Sequence, residues 1–200
     1  MLKPALALMA VLMMSVVHAA PEIGQPAPAF SATDSKGKSV KLSDFKDKYV
    51  VIEWTNHECP FVKKHYKSGN MQSLQTWARL KGAVWLSVIS SAPGKQGHVD
   101  GASADQLTRE RGAQPAHVLL DESGTIGRLY GARTTPHMYV VAPDGRLIYQ
   151  GGIDSISSAD ADDIAEATPY VKVALSEALA GKPVTESSTR PYGCSIKYGS

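Results

Sequence analysis

The chain has 200 residues, 43% of them hydrophobic, enough for one well-packed domain with short extensions. Its 21 Lys and Arg nearly balance 19 Asp and Glu, which argues against a basic nucleic-acid face, a polybasic membrane patch or an acidic tail. Two cysteines exclude a disulfide-dense mini-fold and a four-cysteine zinc site.

Residues 1–20 read as a secretory signal peptide. Lys3 supplies the positive start, Pro4 to Val17 is uncharged, and Val17-His18-Ala19 forms a cleavage site with the cut after Ala19. The apolar run is about 14 residues, short of the roughly 20 a spanning helix needs. The mature chain is therefore expected in the periplasm or outside the cell, an oxidising compartment, with no membrane span.

Pro21 to Phe30 is Pro- and Ala-rich and extended. Asp34 to Lys38 is a turn followed by alternating Val40 and Leu42, which predicts an N-terminal β-hairpin, with Ser43 as the N-cap of a short turn through Phe45. Tyr49 to Trp54 is apolar on both faces, as in a central parallel strand. The polar loop Thr55 to Glu58 leads into Cys59-Pro60, and proline favours the first position of a helix. The helix is expected from Pro60 to about Leu80, broken at Ser68-Gly69-Asn70, with Phe61, Leu74, Trp77 and Leu80 as its apolar residues. Val84 to Ile89 is a second buried strand, completing a βαβ unit.

Beyond a glycine-containing loop, Ala104 to Arg111 is a short helix and Val118 to Leu120 a third strand. Ile126 to Tyr130 is helical and ends at Gly131. Thr134-Thr135-Pro136 leads into a strand over Met138 to Val141, and Ala142 to Gly145 turns into the return strand Leu147 to Gln150. Thr168 as N-cap and Pro169 as first helical residue open a helix whose buried face is Val171, Ala174, Leu175, Ala178 and Leu179, ended by Gly181 and Pro183. Trp54, Trp77 and Trp85 are read as core. The organisation is thus a signal at 1–20, one domain at 21–183, and a tail at 184–200 that lacks periodicity and is expected to be flexible, with Gly193 and Gly199.

Cys59 is the chemically informative residue. A cysteine that follows a central strand and opens a helix sits beside unpaired backbone N–H groups and the positive end of the helix dipole, which favour thiolate over thiol. His57, Lys63 and Lys64 add positive charge if they face the sulfur. A thiolate attacks disulfides and peroxides. For Cys194, 135 positions later on the tail, three readings stand side by side: a resolving thiol for Cys59, a structural disulfide pinning the tail, or an independent thiol.

The element order resembles the thioredoxin fold in its redoxin branch, which includes the alkyl hydroperoxide reductase/thiol-specific antioxidant proteins. Gly24 to Phe30, Gly37 to Trp54, Thr135-Pro136 and Asp144 to Gly152 carry the resemblance. Asn56-His57-Glu58-Cys59-Pro60-Phe61-Val62-Lys63 and Gly193-Cys194-Ser195-Ile196-Lys197 are similar to a peroxiredoxin-like group. The fold implied is α/β, a central mixed β-sheet flanked by helices with an N-terminal β-hairpin. The resemblance also implies a cis Thr135–Pro136 bond whose loop presents backbone groups to an extended substrate. Val62 stands where thioredoxins place the second cysteine of Cys-x-x-Cys. Asn56 and Ile52 replace the Thr and Pro of the peroxiredoxin Pro-x-x-x-Thr-x-x-Cys pattern, so the motif does not support a peroxide pocket.

The function expected is thiol–disulfide oxidoreduction, with Cys59 and Cys194 catalytic and Thr135, Pro136, Asn56 and His57 holding substrate or tuning the sulfur. Its partners are protein or small-molecule thiols and disulfides, with peroxides as an alternative, and no nucleic acid. No cofactor or metal is implied. The alternatives are a thiol peroxidase and a non-catalytic secreted binding protein for copper or a protein partner. The copper reading draws on Cys59 with His57, His65, His98 and His137.

Overall fold

The computed structural model describes residues 21–199. The expected signal at 1–20 lies outside them. Among the described residues no helix is long and apolar enough to cross a membrane.

In chain order the strands are β1 (Ser31–Asp34), β2 (Ser39–Lys41), β3 (Val50–Trp54), β4 (Val84–Ile89), β5 (His117–Leu120), β6 (Thr134–Thr135), β7 (His137–Val141), β8 (Leu147–Gly151) and β9 (Cys194–Ser195). The helices are α1 (Pro60–Lys67), α2 (Asn70–Leu80), α3 (Gly101–Glu110), α4 (Thr125–Leu129) and α5 (Tyr170–Leu179). Seven strands form one mixed sheet in the order β2-β1-β5-β4-β3-β7-β8, and β6 pairs with β9 in a separate ribbon. Strands β3, β4 and β5 are parallel, and β7 returns antiparallel to β3 with Ile52 opposite Tyr139.

The pleat sorts side chains by alternation. Val50, Ile52 and Trp54 enter a core with Phe30, Leu86, Leu119, Tyr130, Tyr139 and Leu147. Val51 faces the other way, onto Val62 and Tyr66 of α1, Met71 and Leu74 of α2, and Val171 and Leu175 of α5. The helix after Cys59 breaks at Gly69, whose φ of 78° suits glycine.

Several local expectations change. The short turn after β2 is a 3₁₀ turn over Leu42–Phe45 with Lys41, not Ser43, as its N-cap, because the Asp44 carboxylate accepts the Lys41 N–H at 2.8 Å. Helix α5 starts one residue late, with Pro169 as the cap. Leu80 is 74% exposed at the end of α2, and Trp77 is only half-buried, whereas Trp54 and Trp85 are core.

The larger correction concerns the tail, which is docked rather than flexible. Its contacts come from backbone pairing and aromatic anchors, neither of which leaves a helical or alternating pattern. Thr189 N–H donates to Gln150 O at 3.0 Å, Ile196 N–H to Arg133 O at 3.0 Å, and Ala92 N–H to Lys197 O at 2.9 Å. Tyr192 is buried against the edge of Phe61. The Tyr198 hydroxyl donates to Ala132 O at 2.8 Å, and its ring lies so close to Gly124 and Gly127 that a Cβ at either would overlap it.

Candidate active site

Strand β3 ends under a loop that is fixed from both sides. Asn56 is buried and its Oδ1 accepts the Glu58 N–H at 2.9 Å, an Asx turn that aims the chain into α1. Asn56 Nδ2 donates to Gln96 O at 3.3 Å, and Glu58 Oε2 accepts the Gly97 N–H at 2.7 Å. Gly97 has a φ of 82° and lies against the Asn56 amide, where a side chain would collide. The loop at 91–97 therefore acts as a brace for the Cys59 turn. Asn56 holds that turn, and His57 lines a cavity with Val62, Lys63 and Arg111. Burial, foremost, holds the His57 imidazole below its ordinary pKa.

Cys59 is the N-cap of α1, in extended conformation, with Pro60 as the first helical residue. It is fully buried and reduced, and its thiol donates to Thr135 O at 3.0 Å. Burial pushes a thiol up. Here it is outweighed by the neighbouring Cys194 and by the backbone N–H groups of Val62 and Cys194, so the Cys59 pKa falls below its ordinary value. The Val62 N–H belongs to the first helical turn, where backbone donors lack an intrahelical partner. The cations anticipated from the sequence act elsewhere. Lys64 is buried beside Asp154 and Ser158, and Lys63 lines the cavity of His57.

Cys194 arrives on the tail. Strand β9 runs antiparallel to β6 with Cys194 opposite Thr135, and the Thr135–Pro136 peptide is cis. The preceding Gly193, with a φ of 125°, presses its backbone flat on that peptide, and a Cβ there would overlap Thr135 O. Cys194 is half-buried, and burial followed by the neighbouring Cys59 pushes its thiol up to about 11. The two sulfurs are thus shifted in opposite directions, with Cys59 the more acidic.

Sequence reasoning passed over two buried polar clusters around this pair. Glu53, fully buried on β3, accepts from the Tyr66 hydroxyl at 3.0 Å, Trp85 Nε1 at 2.9 Å and Ser87 Oγ at 3.1 Å. Burial raises its carboxyl above the usual range despite these donors. The signal was a lone acid in a strand apolar on both faces, which has no exit to solvent. The second cluster fastens the tail. Tyr192 donates to Asp154 Oδ1 and lies 3.2 Å from His65 Nε2, while His65 Nδ1 lies 2.8 Å from Asn70 Nδ2. With the Tyr192 hydroxyl donating to Asp154 and the Asn70 amide donating to Nδ1, the network assigns the imidazole proton to Nε2.

The histidines considered as copper ligands are dispersed. His65 serves Tyr192, His98 pairs with Glu122 at 3.1 Å, and His137 accepts the Arg133 N–H at 3.2 Å through Nδ1. Among the described residues no group of three or more His, Cys, Asp and Glu is arranged to hold a metal.

Comparison with known proteins gives the family and the fold. Thiol-disulfide oxidoreductase ResA of Bacillus thuringiensis subsp. konkukian (strain 97-27) is 27% identical over 129 residues, covering 64% of this chain and 69% of that protein. The crystal structure of an uncharacterized conserved protein from Geobacillus kaustophilus superposes with a TM-score of 0.76 at 26% identity, over 89% of this chain and 93% of that one. The thioredoxin domain of a thiol-disulfide oxidoreductase from Bacteroides vulgatus gives a TM-score of 0.51 at 22% identity, over 72% and 96% of the two chains, so the fold is thioredoxin-like. The AhpC/TSA family matches residues 23–150, which take in β3, Cys59 and the cis-proline loop, and the chain belongs to that family.

Proposed function

We propose that the protein is a thiol–disulfide oxidoreductase in which Cys59 is the attacking thiolate and Cys194 the resolving thiol. The observation that carries this reading is the docked tail, which sets Cys194 opposite Thr135 and beside the more acidic, buried Cys59. Val62 leaves no second cysteine in α1, so the tail supplies it from a distance. The Cys59 thiolate attacks one sulfur of a substrate disulfide and displaces the other as a thiolate. Cys194 then gives up its proton and attacks the Cys59 sulfur, forming the Cys59–Cys194 bond and releasing the second substrate thiolate. The substrate gains two electrons and the cysteine pair loses them. The name of the ResA relatives supports this reaction class. Substrates are protein or small-molecule disulfides and thiols, and the signal peptide read in the sequence at 1–20 supports a site of action in the periplasm or outside the cell.

The experiment is a single turnover of glutathione disulfide by protein reduced beforehand and freed of reductant. Wild type is expected to turn over, Cys59→Ser to be inactive, and Cys194→Ser to stop at a mixed disulfide on Cys59. Undiminished turnover in Cys59→Ser overturns the reading. Turnover of hydrogen peroxide but not of the disulfide replaces it with the peroxidase alternative.

A further inference from the structure

Between α1 and α3 lies a cavity of about 420 Å³, on the scale of pockets that take small molecules. Its buried lining is apolar, with Val62 and Tyr66 one turn apart on α1 and Leu107 facing them from α3. Its outer lining is basic, with Lys63 and Lys67 exposed and one turn apart on α1 and Arg111 at the end of α3. Among the described residues none of these three cations pairs with a carboxylate. The one acid of the lining, Glu110, is engaged by Gln106 Nε2 at 2.7 Å.

Arg111 is held in place before any ligand arrives. Its Nε donates to Leu107 O at 3.2 Å, and its guanidinium carbon lies 4.2 Å from the centre of the Tyr66 ring. Stacking and hydrogen bond together fix the guanidinium, yet Nη1 is buried without an acceptor. Leaving such a donor unmade is costly. The cavity also adjoins the cysteine turn. His57 lines it from the loop before Cys59, and Val62 lines it from the helical turn after. Cys59 itself is fully buried, so recognition of a small substrate falls to an open surface next to the sulfur.

We propose that this cavity seats a small disulfide bearing a carboxylate, with the carboxylate on Arg111, Lys63 and Lys67 and the hydrocarbon part on Val62, Tyr66 and Leu107. This names a substrate class for the thiol–disulfide reaction proposed above and rests on that reading. The guanidinium fork takes a carboxylate directionally, and the two lysines add point charges. The same three cations repel a disulfide that carries amines, so the lining selects by charge as well as by shape.

The test compares three disulfides of similar size: dithiodipropionate with two carboxylates, hydroxyethyl disulfide with no charge, and cystamine with two ammonium groups. Reduced wild-type protein, freed of reductant, is mixed with each at low ionic strength, and its rate of oxidation is divided by that of free mercaptoethanol with the same disulfide. The normalised rate for dithiodipropionate is expected to exceed that for cystamine by about tenfold, with the uncharged disulfide between them. Arg111→Gln should cut that ratio by about threefold or more, and so should Lys63→Gln combined with Lys67→Gln, whose exposed positions keep the test open if the arginine variant does not fold. Equal normalised rates, or a preference that the variants leave unchanged, overturn the proposal. If Cys59 reacts with none of the three, the oxidoreductase reading fails, and the cavity is judged by thiodipropionate, the thioether that lacks the S–S bond. It should shift the amide NMR signals of Val62, Lys63, Leu107 and Arg111, and unmoved signals overturn the carboxylate seat.

Discussion

Replacing Gly193 with valine is expected to unseat the tail and open Cys59 to solvent. Two effects add at this position. A side chain at a φ of 125° costs about 1–3 kcal/mol in backbone strain. Its Cβ would also overlap Thr135 O and the adjoining carbonyl carbon, which are backbone atoms and cannot swing aside. Since each 1.4 kcal/mol is a factor of ten, the equilibrium for local opening shifts about ten- to a hundredfold toward the released tail. Alkylation of Cys59 by iodoacetamide, followed by peptide mass spectrometry, should accelerate to match. Far-UV circular dichroism should change little, because the seven-stranded sheet and its helices do not include β9. A Cys59 rate within twofold of wild type would mean that the tail does not cover the sulfur.

The second large effect is acid lability centred on His65. Its environment comprises the Tyr192 hydroxyl, the Asn70 amide, the Asp154 carboxylate at 3.7 Å and the buried Lys64. Burial dominates over the attraction of Asp154, and the imidazole pKa drops from 6.5 to about 4. The unfolded chain therefore takes up a proton near pH 6.5, whereas the folded chain does not until about pH 4. Stability from this group is complete above 6.5 and is lost as the pH falls through that window. At about 1.4 kcal/mol per pKa unit the loss is about 3 kcal/mol. His137, held down to about 3 by burial and then by Arg133, adds a loss of the same sign. Urea unfolding at pH 6.5 and pH 4 should show wild type losing about 3 kcal/mol more than His65→Gln, whose side chain does not titrate. Parallel losses in the two proteins would contradict the assignment. Because His65 holds Tyr192, the same acid window should loosen the tail.

Much of the architecture was legible because the elements that carry it have strong local signatures. Tyr49 to Trp54 and Val84 to Ile89 read as buried strands, Pro60 marked the start of a helix, and Asp144-Gly145 marked the β7–β8 turn; all four are present, the first strand beginning one residue later, at Val50. Cys59 was legible for the same reason, since strand, loop, cysteine and proline together define a helix start whatever the family. The cis Thr135–Pro136 bond was reached through resemblance, not through any property of the two residues alone.

What escaped was set by tertiary contacts. The tail has no periodicity because β9 is two residues long and its other backbone bonds are scattered, two with Gln150 and one each with Arg133 and Ala92. Gly193 looked like a source of flexibility, yet its missing side chain is what permits close approach to Thr135. Lys64 was offered as a cation for the Cys59 sulfur and His65 as a copper ligand, but the tail's Tyr192 and the loop's Asp154 cover both. Glu53 was absorbed into an apolar run, and its three donors come from α1 and β4. In each case the partner is remote in sequence, so no local pattern records it.

The central claim is that Cys59 and Cys194 form one redox pair, and the most direct test is to map the cysteines after oxidation. Wild-type protein treated with a stoichiometric disulfide oxidant, digested without reductant and analysed by mass spectrometry, should yield one cross-linked peptide joining Cys59 to Cys194, which dithiothreitol separates. Cys59 recovered as a sulfinic acid, as an intermolecular dimer or as an unchanged thiol, with Cys194 unlinked, would contradict the account.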